Sequence, residues 1–421
     1  MKTAPKFLPW RAWLPAVAVS VVVCVGTGCE QDAAVEEADV DALRSLPYLD
    51  YSPEPANAEG GVAVLDRERA YPGYNLVTYH RLCRTELIDE QGQLIHVWEQ
   101  RTPCHHWSNV DLLPTGDLVV PGVDLIEGVS SNEMGDTRET LRAGYLMRLD
   151  FEGNVVWKSQ LPVHHDVNLT PRNRLLTLTT GYRDPQMNEG VDIHDAGIAM
   201  VTLEGELIGE ISLYDVFAAN PEEFPLQEVG VVEREGSKEL PLFHANAVHW
   251  VNQEHLEGRH PIYEPGVVLV TLRHQNAVVA VNWDQKKIVW MWGPGELMGP
   301  HDGSVLDNGN VLIFDNGLGR GWSRVVEVDP LSGEIVWEYK APSPRDFYTA
   351  SRGSNQRLPN ENTLIATSDR GEIFEVTSDG EVVWRYASPH LNEGRRRATI
   401  VRAERYESDF IEGLLRSRGA Q

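Results

Sequence analysis

The stretch VVEVDPLSGEIVWEYK, Val325 to Lys340, reads as two short strands around a polar turn that holds Gly333. Apolar residues alternate with polar ones on both sides, which is the signal of a β-hairpin. Five relatives recur along the chain. They are LIDEQGQLIHVWEQ (Leu87 to Gln100), RLDFEGNVVWKSQ (Arg148 to Gln160), VTLEGELIGEIS (Val201 to Ser212), VAVNWDQKKIVWMW (Val279 to Trp292) and FEVTSDGEVVWRY (Phe374 to Tyr386). Between them lies a second kind of hairpin: NVDLLPTGDLVV from Asn109, DVNLTPRNRLLTL from Asp166, SVLDNGNVLIF from Ser304 and NQRLPNENTLIA from Asn355. A further copy, HANAVHWV and GVVLVTL, is split by residues 252–265. Each unit therefore holds four short strands. Units of four strands repeated in a ring are the blades of a β-propeller.

The expected fold is all-β, a six-bladed β-propeller with four-stranded blades over residues 62–407. The last unit lacks a partner strand after Trp384, and ATIVRAERY (Ala398 to Tyr406) either completes it or closes the ring beside the N-terminal strand. Repeats bury their faces only against neighbours, so closure bears on stability. Residues 122–142, 181–195 and 214–241 read as loops on the propeller faces. Residues 408–421 read as a C-terminal tail or short helix.

The 421 residues carry a net charge of -26, with 42% hydrophobic and 24% charged residues. That composition suits a soluble core and supplies no basic face for nucleic acid. The first 29 residues read as a lipoprotein-type signal peptide. Lys2, Lys6 and Arg11 precede an apolar run from Ala12 to Val25, and Gly26-Thr27-Gly28 leads to Cys29. Cys29 is the expected lipidation site. Ordinary cleavage without lipid and a retained anchor are the alternatives. The expected location is periplasmic, with the membrane as partner through a lipid anchor. Residues 30–61 are acidic and aperiodic and read as a flexible tether. Cys83 and Cys104 flank the first hairpin, and in an exported chain they predict a disulfide.

Histidines stand where the inner strands begin. His165 opens DVNLTP, His244 precedes ANAVHW and His301 precedes DGSVLD. The first strand of each blade lines the axis, so residues at equivalent places in neighbouring blades converge there. His105 and His106 lie near the corresponding place in the first unit, and Arg352 and Gly353 in the fifth. One histidine would be read as a cap; three in register are not needed by the fold. Asp166 and Asp302 follow two of them and are expected to orient the rings or their neighbours. His80, His249, His255, His260 and His390 lack this positional logic and read as surface or structural. Arg273 ends a buried strand, and its guanidinium suits an oxyanion. Three histidines could hold a metal with an open coordination position. They could equally supply a nucleophile and oxyanion donors. The arginine favours the second, since a cation repels a metal and attracts an anionic substrate.

The motifs HHD at His164, FHAN at Phe243, RHQNA at Arg273 and GPHDG at Gly299, in that order, resemble the bacterial arylsulfotransferase family. AYPGYNLVTY and ELIDEQGQLIHVWE are similar to its N-terminal entry. The resemblance spans Gly61 to Pro389, without the separate N-terminal domain of larger members. It implies an exported six-bladed propeller that moves a sulfuryl group from an aryl sulfate to a phenol. No nucleotide sulfate donor and no cofactor are needed. The implied mechanism is ping-pong through a sulfohistidine. His301 is the implied nucleophile; His165, His244 and Arg273 would hold the sulfate oxygens. A His-ligated metalloenzyme and a non-catalytic surface-binding propeller are the competing expectations.

Overall fold

The computed structural model describes residues 49–101, 103–129, 134, 138–183, 188, 190–234 and 236–419. The signal segment 1–29 with Cys29, and residues 30–48 of the expected tether, lie outside them. So do parts of the face loops 122–142 and 181–195.

The described residues form six blade sheets and one two-stranded sheet. Blade 1 runs from the axis outward as Ile400–Tyr406, Tyr74–Tyr79, Arg84–Ile88 and Leu94–Glu99. Blades 4 and 5 follow the four-strand plan: Ala245–Trp250 to Lys287–Trp292, and His301–Val305 to Ile335–Tyr339. The others exceed it. In blade 2 the inner strand is broken into His106–Trp107 and Asp111–Leu112, both paired to Leu118–Val123. Blade 3 adds Ser237–Pro241, parallel to Asp192–Val201, and Val232–Arg234. Blade 6 gains the N-terminal strand Gly61–Leu65 on its outer edge.

The six hairpins that set the repeat are the third and fourth strands of the four-strand plan. In blade 5 Gly333 takes φ 74°, and the register shifts by one residue between Glu327 and Val328. A left-handed residue beside a bulge suits the right-handed twist of a hairpin. Blade 4 has no glycine there, and Lys286 adopts φ 53° instead.

The Trp of each hairpin joins one blade to the next. Trp98 Nε1 donates to Asp150 O (3.1 Å), Trp157 to Leu203 O (2.8 Å) and Trp290 to Pro330 O (3.2 Å). Trp337 donates to Ser378 O (2.9 Å), and Trp384 returns to Glu90 O in blade 1 (2.8 Å). Blade 3 carries Gly209 in place of the Trp. There Trp283, from the turn of blade 4, packs back on the core the two blades share.

Ring closure uses both ends of the described chain. Ile400–Tyr406 pairs with Tyr74–Tyr79, so ATIVRAERY closes the ring beside the N-terminal strand. The expected tether ends earlier than residue 61. Tyr51–Pro55 pairs with Arg396–Ala398, because its backbone finds an open edge there. The expected tail is partly a helix, Ser408–Ser417, which buries Ile411 against the core of Trp98 and Phe151. Cys83 and Cys104 form the expected disulfide and staple the open end of the first hairpin. No helix among the described residues is long and apolar enough to cross a membrane.

Candidate active site

At the starts of the inner strands the chain bends sharply. His165, His244, Asp302 and Arg352 have φ of 63°, 44°, 47° and 57°. A left-handed conformation at a residue other than glycine costs on the order of 1–3 kcal/mol and persists where surrounding structure demands it. Four such residues around one axis make the place a candidate site. His165 and His301 each stand five residues before the turn-opening Thr170 and Leu306, whereas His244 stands seven before Val251. The three are thus equivalent in space more than in strict register.

His165, His244 and His301 line one cavity of about 360 Å³, together with His80, His106 and Arg352. The ring centroids of His165 and His244 are 5.1 Å apart. Arg273 does not line this cavity. It is buried, and its charge adds to the burial that lowers the pKa of His301 and His244. Its Nη1 donates to His274 Nε2 at 3.3 Å, since His274 Nδ1 already donates to Pro241 O at 2.6 Å.

His301 is 4% exposed. Its Nδ1 lies 3.2 Å from Gly299 O and 2.6 Å from Asn316 Oδ1. The Arg352 backbone N–H donates to Nε2 at 3.2 Å. A carbonyl only accepts and an amide N–H only donates, so the proton is on Nδ1 and the lone pair on Nε2. Burial pushes the pKa of His301 down to about 3, and the nearby Arg273 adds to the effect. The ring is therefore neutral at pH 7, a state in which it can attack.

The same reasoning fixes His165. His164 Nε2 is 3.0 Å from Thr179 O and must donate to it. Neutral His164 then has its lone pair on Nδ1, which faces His165 Nδ1 at 2.5 Å. His165 donates across that contact and keeps its own lone pair on Nε2. Burial, then His164 and His301, hold its pKa well below the ordinary value.

The structure reassigns two groups. Asp166 and Asp302 do not orient the histidine rings. Asp166 Oδ2 accepts Val248 N–H at 2.9 Å and Asp302 Oδ2 accepts Asn355 N–H at 2.6 Å, so each fastens its strand to the next blade. Asp166 also pairs with Arg402 of the closing strand at 3.1 Å. His80, expected to be surface or structural, is 8% exposed and lies in the cavity wall. It stacks on His106 with centroids 4.4 Å apart, and Arg352 Nη2 approaches its Nδ1 at 3.1 Å. Arg352 Nη1 donates to Leu49 O at 2.7 Å, and Asp50 pairs with Arg81 at 3.0 Å. Asn246, also in the wall, donates to Pro300 O at 2.8 Å, just before His301. His249 is half-buried, and desolvation holds its pKa down to about 4, while His255 is exposed and bonds Asp307 O. His260 caps a short helical turn and His390 pairs with Glu86.

Sequence reasoning noted Arg352 only by position and passed over Asn246 and Asn316. Asn246 stands within the quoted FHAN, and Asn316 stands two residues past the quoted SVLDNGNVLIF. Among the described residues, no three His, Cys, Asp or Glu side chains are arranged to hold one metal ion. The arrangement offers a neutral imidazole whose lone pair faces the Arg352 N–H at the cavity wall, with the charges of Arg352 and Arg273 lowering its pKa. That is a nucleophile in a field that favours an anion.

A sequence profile of the family described as Arylsulfotransferase (ASST) matches residues 136–389, more than half of the chain. No curated protein sequence matches. Among solved structures, a protein of unknown function from Bacteroides caccae is 13% identical, with a TM-score of 0.48, over 79% of this chain and 98% of that one. A streptogramin B lyase is 12% identical, with a TM-score of 0.45, over 86% of this chain and 98% of that one. The β-propeller domain of Cps50 from Myceliophteria thermophila is 10% identical, with a TM-score of 0.43, over 81% of this chain and 90% of that one.

Proposed function

From the premise that this chain belongs to the arylsulfotransferase family, we propose that it transfers a sulfuryl group from an aryl sulfate to a phenol through a sulfohistidine at His301. The Nε2 lone pair attacks sulfur, and the S–O bond to the aryl group breaks with its electrons on the departing phenolate. In the second half-reaction the acceptor phenol loses its proton and its oxygen attacks sulfur. The N–S bond breaks and its electrons return to Nε2. The proton gained by the first phenolate and the proton lost by the second phenol cancel over the cycle. No nucleotide sulfate donor takes part. His165, His244 and Arg352, which line the cavity, stabilise the charge on the sulfuryl oxygens, and Arg273 adds its charge from outside that lining.

The observation that carries this reading is the neutral, Nδ1-protonated His301 with its lone pair facing Arg352 N–H. An incoming sulfuryl group must displace that 3.2 Å contact. Incubation of the purified chain with 4-nitrophenyl sulfate and phenol should release nitrophenol, and His301→Ala should abolish the release. Absence of release from wild type, or unchanged release from the variant, would sink the reading.

The same proposal includes residues 1–29 as an export signal, lipid on Cys29 and a periplasmic, membrane-anchored enzyme. The Cys83–Cys104 disulfide supports an oxidising compartment. Labelled fatty acid should be incorporated by wild type and not by Cys29→Ser; incorporation by neither rules out the anchor.

A further inference from the structure

Asn316 is fully buried and follows the strand Val311–Asp315. Its Nδ2 donates to Thr349 O at 2.9 Å and to Arg352 O at 2.7 Å. Both partners are carbonyl oxygens, so the amide has only one satisfactory orientation. Oδ1 is then the atom that meets His301 Nδ1 at 2.6 Å. This is the shorter of the two acceptor contacts on that nitrogen; the other, to Gly299 O, is 3.2 Å. One side chain thus bonds the ring and anchors the segment whose Arg352 N–H meets Nε2. Ser323 Oγ donates to the Asn316 backbone O at 2.9 Å and accepts from Thr349 N–H at 3.1 Å, which secures the backbone around it.

We propose that Asn316 is a positioning residue: it locks His301 with its proton on Nδ1, and because it is an amide it leaves the sulfurylated ring ready to give its group up. The first half stands on the geometry alone, and the second rests on the sulfotransfer reading. When Nε2 bonds sulfur, the aryl–oxygen bond to sulfur breaks and the ring becomes an N-sulfo-imidazolium. It still carries the Nδ1 proton and a positive charge. An amide oxygen accepts the Nδ1–H bond but does not take the proton. The group that leaves in the second half-reaction is therefore neutral imidazole. A carboxylate at the same place would pair with the cationic ring and could remove its proton. The leaving group would then approach imidazolate, a far poorer one, and the adduct would persist. Histidines in hydrolytic triads are oriented by an acid that favours their charged form. Here the oriented histidine must carry a covalent load and release it, and a neutral partner serves that task.

The test begins with the wild-type chain labelled with nitrogen-15 at histidine, the His301 signals being identified by their loss in His301→Gln. At neutral pH a neutral ring protonated on Nδ1 is expected. A ring protonated on Nε2, or a charged ring, overturns the proposal without reference to any activity. The kinetic arm compares Asn316→Asp with Asn316→Ser, which loses the same two donations but adds no charge. With 4-nitrophenyl sulfate and phenol, both should lose turnover by about 10- to 100-fold, the usual scale for a residue that orients a reacting group. Only Asn316→Asp should accumulate the covalent adduct, read by intact mass. Equal adduct levels in the two variants, or turnover unchanged in both, overturns the second half. A wild-type chain with the expected tautomer, but neither adduct nor turnover, fails the sulfotransfer reading and leaves the tautomer lock in place. If neither variant folds, the nitrogen-15 result on wild type decides.

Discussion

His165 in its neutral form has no N–H to offer a sulfate oxygen. Its Nδ1 proton is committed to His164, and its Nε2 holds a lone pair. To act as an oxyanion donor it must take up a second proton. Burial opposes that, and the Arg352 guanidinium adds to the opposition. An entering sulfate reverses the local field, so binding and protonation are coupled. Inorganic sulfate should therefore bind more tightly as pH falls from about 8 to about 6, with log K rising by about one per pH unit for each proton taken up. Titration calorimetry in two buffers of different ionisation heat reads the proton count directly. Affinity that is flat with pH would leave the arginines as the donors. His165, His244 and His301 were legible in the sequence because they precede recognisable turns in successive repeats. His80 was not. It follows Tyr74–Tyr79, whose inner neighbour Ile400–Tyr406 comes from the far end of the chain. No local pattern says which strand will lie inside it. Asp166 and Asp302 were misread for a related reason: adjacency in sequence to a histidine says nothing of bonds that cross to the next blade.

Among the elements, the outer hairpin does more than repeat. Its Trp reaches the turn of the following blade, so the residue that flags the repeat also couples one repeat to the next. The repeat itself is legible from alternation and turn residues. The coupling is not, because the acceptor is always a backbone carbonyl and leaves no trace in the side chains. Burial differs between copies. Trp384 is fully buried, with Arg405 stacked at 4.8 Å, whereas the bond from Trp337 to Ser378 O is exposed. Removing the indole N–H leaves a carbonyl without its donor, and that loss is greater where water cannot replace it. Trp384→Phe should cost about 1–3 kcal/mol and Trp337→Phe about 1 kcal/mol or less. Urea denaturation measures both, and equal costs, or the reverse order, would show that packing alone governs the junctions.

At the scale of the whole molecule, closure and charge meet on one strand. Ile400–Tyr406 closes the ring, and it also carries Arg402 into the axis. There its guanidinium bonds Asp166 of blade 3 at 3.1 Å and lies 3.9 Å from Asp302 of blade 5. Burial raises Asp166 to about 7 against the pull of Arg402, and it raises Asp302 as well. Both carboxyls also bond the backbone of the next blade, so they cannot turn away. Removing the cation would strand two buried carboxylates. Breaking a buried pair in this way costs about 3–5 kcal/mol. Arg402→Met should therefore destabilise the ring strongly, and the sign of its pH dependence follows from linkage. In the variant the folded pKa of both carboxyls rises further above the unfolded value. Folding then binds protons, so stability is retained at low pH and lost as pH rises through the folded pKa. Acid also destabilises both proteins, because desolvation lowers the pKa of His80, His106, His165, His244 and His301 in the folded state and unfolding lets them charge. That contribution is common to the two and cancels in their difference. The gap in unfolding free energy between wild type and Arg402→Met should be smaller below about pH 7, where Asp166 is protonated in both folded proteins, and widen as pH rises above it. A gap that is constant with pH would mean that Arg402 closes the ring by packing and not by charge.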